Sequence, residues 1–199
     1  MVVVERRSTR ERVLEGALSA FAERGFAATS LDELGSQLGL TKQAILYHFG
    51  SKDGLLSAVI EVTAVELVEV FETEVDQQLT GFERIESVVR VTFRLAARRP
   101  EVLGLLRQVS RLGDPHTTAL AAGLRSLMDR ANNFLEHEMA AGRLRRHEPR
   151  FLLLSAYSAV IGVATEPEVM RAMGVEPNLR SLAEARSELT SFLRDALVP

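Results

Sequence analysis

The chain of 199 residues is long enough for one large or two small domains with a substantial core. Its 46% hydrophobic and 26% charged residues match a globular protein, and a net charge of −3 excludes a uniformly basic nucleic-acid binder. The absence of cysteine excludes a disulfide framework and thiolate metal sites.

Charge is uneven along the chain. Residues 1–52 carry +1 and the rest −4, and the only two lysines, Lys42 and Lys52, both fall in the first part. A weakly basic N-terminal part on an acidic body binds DNA when its cations share one face. The start, MVVVERRSTR, is too short in apolar residues for a signal peptide and carries its arginines after them. The longest apolar run, 151–164, is interrupted by Ser155, Tyr157 and Ser158 and is shorter than the roughly 20 residues of a membrane span. The expectation is a cytoplasmic protein.

Apolar spacing is helical throughout, which predicts an all-α fold of about nine helices. The first helix starts near Ser8, where S-T-R-E fits a capping box, and stops at Gly25. The second starts at Thr29 or Ser30 and ends at Gly39. The third follows the cap Thr41 and runs to about His48, with Ile45 and Phe49 inward. The fourth follows Ser51 and reaches about Leu79. A fifth helix is expected over 82–98, a sixth from Pro100 to Leu112, and a seventh from Asp114-Pro115 to about Ala141. The eighth covers 149–165. A loop over 166–178 leads to the ninth, 181–197.

The second and third helices with their tight turn form a helix-turn-helix pattern. A recognition helix offers its first residues to base edges while its back packs on the preceding helix. Thr41, Lys42, Gln43 and Leu46 fall on that outer, N-terminal side. Gln bonds adenine bidentately, Lys bonds guanine, and Leu46 offers only apolar contact to a thymine methyl. Tyr47 and His48 carry polar tips suited to phosphates, and Lys52, Thr29 and Ser30 stand at helix N-termini that favour anions. Each has a plainer reading beside it: Tyr47 as packing, Gln43 as a solvated side chain, and Arg6, Arg7 and Arg10 as a frayed terminus instead of a phosphate or minor-groove arm.

These residues resemble the N-terminal domain of the TetR family of bacterial transcriptional repressors. The resemblance rests on Gly25-Phe26, Thr29-Ser30-Leu31, Leu34-Gly35, Gly39-Leu40-Thr41, Ile45-Leu46-Tyr47-His48-Phe49, Ser51-Lys52 and Leu55, some dozen positions matching in register within a motif of about 50 residues. The chain departs from the family pattern at Leu46, where tyrosine is usual, and at Gly35, where alanine is usual. The first removes a polar contact; the second is expected to loosen the second helix by up to about 1 kcal/mol. The resemblance implies a DNA-binding domain over 1–52 and an effector-binding, dimerising domain over 53–199. It further implies a homodimer that binds a palindromic operator in double-stranded DNA and is released by a small-molecule effector.

The eighth helix is apolar nearly all round, so it needs cover on several sides, and with the ninth it is read as the homodimer interface. The alternative is the internal core of a monomer. The resemblance places the effector among the fourth to eighth helices. Candidate contacts are Phe71, Phe93, Leu103, Leu106, Leu127, Met128, Phe134 and Tyr157, with Gln108 and Arg111 (and His116 and Asn133) for a polar group. Each apolar one reads equally as plain core. Few polar inward positions point to an apolar effector.

Enzyme motifs are missing: the chain has no G-x-S-x-G, P-loop or H-E-x-x-H, and its four histidines lack metal spacing. No catalytic residue, cofactor or metal is expected. Glu136-His137-Glu138 is read as charged helix surface. An all-helical enzyme or lipid carrier remains the reading from another class.

Overall fold

The structure, a computed structural model, describes residues 8–199; Arg6 and Arg7 lie outside the described residues. Among these, ten α-helices and their connections make up the fold: α1 (Thr9–Arg24), α2 (Leu31–Leu38), α3 (Lys42–Phe49), α4 (Lys52–Glu74), α5 (Gly81–Arg98), α6 (Pro100–Leu112), α7 (His116–Ala140), α8 (Pro149–Thr165), α9 (Pro167–Ala172) and α10 (Leu179–Leu197).

Local chemistry sets the first boundaries. Ser8 caps α1 through a reciprocal capping box with Glu11, whose carboxylate accepts the Ser8 amide at 2.8 Å. Ser30, not Thr29, caps α2; Thr41 caps α3 and Ser51 caps α4. Gly39 closes α2 in the left-handed conformation that a residue without Cβ adopts freely.

Three elements differ from the periodicity. α4 stops at Glu74 because Gln77 folds back and donates to the Phe71 and Val75 carbonyls, while Asp76 accepts from the Gln78 amide. The stretch expected as a loop contains the short helix α9, opened by Pro167. α10 begins two residues early, capped by Asn178 with Ser181 at the reciprocal position.

One buried core runs through the molecule, from Val13, Phe21, Leu34 and Ile45 to Leu105, Leu144 and Leu197. α1 lies along α6 and α4 along α7, the two most extensive helix pairs, and α10 lies along α5. Both main pairs cross at glycines. A Cβ on Gly104 of α6 would stand 2.9 Å from the Ala22 Cβ, and one on Gly123 of α7 2.7 Å from the Ala64 Cβ.

Glu138 corrects the surface reading of Glu136-His137-Glu138: it is only 2% exposed. Its carboxylate accepts two bonds from Arg143, at 2.6 and 2.7 Å, and one from the Gly81 amide at 2.7 Å. Thr80 provides no side-chain cap for α5, so Glu138 supplies the acceptor across the fold. The Arg143 bonds, opposed by burial and reinforced by the Gly81 amide, hold the carboxyl at about 2, below its ordinary 4.5. The folded state therefore releases this proton more readily than the unfolded chain, so the contribution is present above pH 4.5 and is lost as pH falls through about 2. Glu138→Gln should lower stability at pH 7 by about 2 kcal/mol and flatten that acid limb, as read by chemical denaturation at stepped pH.

Candidate nucleic-acid interface and ligand cavity

The turn between α2 and α3 is closed by backbone bonds. The Leu40 amide donates to the Gly35 carbonyl at 2.8 Å, and a Cβ on Gly35 would stand 2.8 Å from the Leu40 carbonyl oxygen. Gly35 is thus where the turn presses onto α2, in addition to being a weak helix former. Arg12 of α1 donates to the Leu38 carbonyl at 2.7 Å, a cation at the C-terminal end of α2. Ile45 is fully buried, which fixes the rotation of α3.

That rotation turns Thr41, Gln43, Tyr47 and His48 to solvent and leaves Lys42 and Leu46 half-buried. Tyr47 is 86% exposed, with its ring edge-on to His48, centroids 5.4 Å apart. Lys42 pairs with Asp32 at 2.9 Å. Lys52 donates to the Ala27 carbonyl at 3.3 Å with its ammonium 4.5 Å from the Phe26 ring centroid, so it braces the α1–α2 turn. Ser30 stays partly open. Arg10 lies in α1 with its guanidinium 5.6 Å from the Phe49 ring, beside the C-terminal end of α3.

Thr29 departs from its expected role. It is 0% exposed, and its hydroxyl lies 2.9 Å from the Gly25 carbonyl and 3.2 Å from that of Ala20. A hydroxyl locked beneath the α1–α2 turn does not reach a phosphate, so its part is structural.

In the body, an apolar cavity of about 150 Å³ opens between the C-terminal end of α4 and helices α5, α7, α8 and α10. Of the expected ligand contacts, Phe71, Leu127 and Phe134 line it. The others lie elsewhere. Phe93, Leu103 and Leu106 are buried in the core. Gln108 packs beside Gly25, Arg111 pairs with Glu166 at 3.3 Å, and Met128 faces solvent. Tyr157 opens onto the outer face of α8, its phenol pushed up by partial burial. His116 stands 4.0 Å from Asp53 at the junction of head and body, and Asn133 is exposed.

Among the lining residues that periodicity missed are Arg84, Arg130, Leu152 and Leu193. Arg84 lies four positions before Val88, on the face of α5 that lines the cavity, which is the signal that could have found it. A wider depression of about 450 Å³ between α1 and α6 is walled by Arg12, Glu15, Arg99 and Glu101. Its arginines are already engaged, Arg99 with Glu15, Glu66 and Glu101 and Arg12 with Leu38.

Residues 13–59 match the family described as bacterial regulatory proteins of the tetR family. Over these residues the chain matches the N-terminal domain of the TetR family. A curated relative, the uncharacterized HTH-type transcriptional regulator YerO of Bacillus subtilis (strain 168), is 40% identical over 52 residues, 26% of this chain and 18% of that protein. The chain therefore spans about a fifth of this relative's length in the match. A TetR-family transcriptional regulator from Pectobacterium atrosepticum is 26% identical, with a TM-score of 0.63 over 96% of this chain and 95% of that one. AibR, solved with isovaleryl coenzyme A and operator DNA, shares the fold at a TM-score of 0.77 and 18% identity, over 94% and 98% of the two chains. The TetR-like head, α1 to α3, thus continues into an all-helical body, as the TetR resemblance implied.

Thr29→Val should reduce stability by about 1 kcal/mol, since a buried hydroxyl loses its acceptors. Thermal melts of the two proteins check this. An unchanged melt combined with weakened DNA binding would return Thr29 to the interface.

Proposed function

We propose that this chain is a dimeric transcriptional regulator, acting as a repressor, whose α3 reads a palindromic operator and which a small, largely apolar effector releases. The single observation that carries the reading is the outer face of α3. Tyr47, Gln43 and His48 stand in solvent on a rigid turn, and no packing within the fold accounts for them. The likeness to YerO, named as a transcriptional regulator, and the pairing of isovaleryl coenzyme A with operator DNA in AibR support it.

In this reading residues 1–52 form the DNA-binding head and 53–199 the effector-binding and dimerising body. Thr41, Lys42 and Gln43 meet base edges, and Leu46 meets a thymine methyl. Ser30, Tyr47, His48 and Lys52 meet phosphates. Lys42 exchanges Asp32 for DNA, and that exchange reduces what the contact adds to affinity.

The dimer forms through α8 and α10. Phe151 is 70% and Phe192 68% exposed, and Leu154 and Leu179 join them on the surface, large apolar side chains of the kind that mark an interaction face. A two-fold dimer sets two recognition helices about 34–36 Å apart, one turn of DNA. α4 links cavity to head: its first residue is Lys52 and its last turns carry Phe71 and Glu72 of the cavity wall, about 30 Å apart along the axis. An effector that fits one tilt of α4 better than another shifts the spacing of the heads. No described helix is long and apolar enough to cross a membrane, and the reading places the protein in the cytoplasm with its DNA.

Fluorescence anisotropy on an operator and on random duplex tests the assignment of roles. Tyr47→Ala should leave the melting temperature unchanged and weaken binding to both duplexes about tenfold; unchanged affinity removes Tyr47 from the interface. Gln43→Ala should mainly narrow the gap between operator and random duplex, whereas Lys52→Ala should weaken both alike and reduce the salt slope by about 1. Equal losses on both duplexes for Gln43→Ala would contradict base reading.

A further inference from the structure

The rim of the apolar cavity holds an arginine whose charge is not neutralised. Arg84 donates to the amide oxygen of Gln77, and its guanidinium lies 4.5 Å from the Phe134 ring centroid. No carboxylate among the described residues pairs with it. The other rim arginine differs: Arg130 is paired with Glu72 at 2.8 Å. The mouth therefore carries one net positive charge, above walls made by Phe71, Val89, Leu127, Leu152 and Leu193.

A guanidinium bonded only to a neutral amide exchanges that partner readily for an anion, which it grips with two parallel N–H bonds. The Phe134 ring lies against the guanidinium, which donates to the neutral Gln77 amide. A volume of about 150 Å³ is the size of apolar cavities that hold a benzene ring, so a short hydrocarbon fills it and anything longer projects past the rim.

We propose that this cavity takes a short hydrocarbon body joined to one anionic group, and that Arg84 reads the anion. The anion belongs either to a free carboxylate or to a phosphate-bearing carrier of an acyl group; both bring negative charge to the rim. The inference rests on the regulator reading in treating this ligand as the effector. It adds the class of effector: an organic anion, where the wall alone selects only for apolarity.

Calorimetric titration of the full chain with hexanoate, hexanoyl coenzyme A and 1-hexanol tests it. Hexanoate or hexanoyl coenzyme A should bind at least tenfold more tightly than hexanol, and whichever does so identifies the source of the anion. Arg84→Met keeps the apolar stem, so hexanol affinity should hold while the preference for the anion disappears. Equal affinity for all three, binding by none, or an anion preference that survives Arg84→Met overturns the inference. Operator affinity measured with and without the bound anion separates the two readings. An Arg84-dependent anion that leaves DNA binding untouched upholds the ligand class and removes the release mechanism. A folded chain that binds the anion and no DNA removes the regulator reading alone.

Discussion

The fold is fastened where two pairs of helices approach closer than side chains ordinarily allow, one joining head to body and one within the body. Gly104 of α6 meets Ala22 of α1, and Gly123 of α7 meets Ala64 of α4, with no room for one more carbon at either crossing. Around the first crossing, Arg99 collects Glu15 from α1, Glu66 from α4 and Glu101 from α6. Pairs this exposed contribute little each, but together they fix the register of three helices. Gln108 adds a contact from α6 to Gly25, at the end of α1. A head held in this way is packed continuously with α6 and α4.

The two ends of the molecule are therefore physically continuous. The cavity is walled by the last turns of α4 and by α10, and α10 carries the exposed Phe192 of the proposed dimer face. Arg107 of α6 caps the C-terminal end of α8 through the Thr165 carbonyl at 2.7 Å and pairs with Glu166 at 2.9 Å. The same helix lies against the head. Two packed routes thus join the cavity wall to the head, α4 against α3, and α8 against α6 with α6 against α1.

What the sequence revealed and what it hid divide along the range of the interaction. Ser8 with Glu11, Ser30, Thr41 and Ser51 act within one turn of helix, so their capping was legible as local spacing. The rotation of α3 was legible too, because Ile45 and Phe49 are four apart. Hidden were the residues whose partners lie far along the chain. Glu138 follows the polar pair Glu136-His137 yet is buried, bonded to Gly81 and Arg143. Thr29 has the spacing of a cap, but its hydroxyl is taken by the Gly25 and Ala20 carbonyls. In the body, apolar residues of core and cavity share one periodicity, so Phe93 and Leu103 could not be told from Phe71 and Phe134. Arg84 was passed over because an arginine beside an apolar face ordinarily faces solvent.

The central claim is sequence-specific reading of DNA by a pair of these heads, and selection of bound duplexes from a random library at near-physiological salt tests it most directly. The account predicts enrichment of a palindrome whose half-sites are centred about one helical turn apart. A folded, dimeric protein that enriches no sequence, or enriches a single half-site without symmetry, would contradict it.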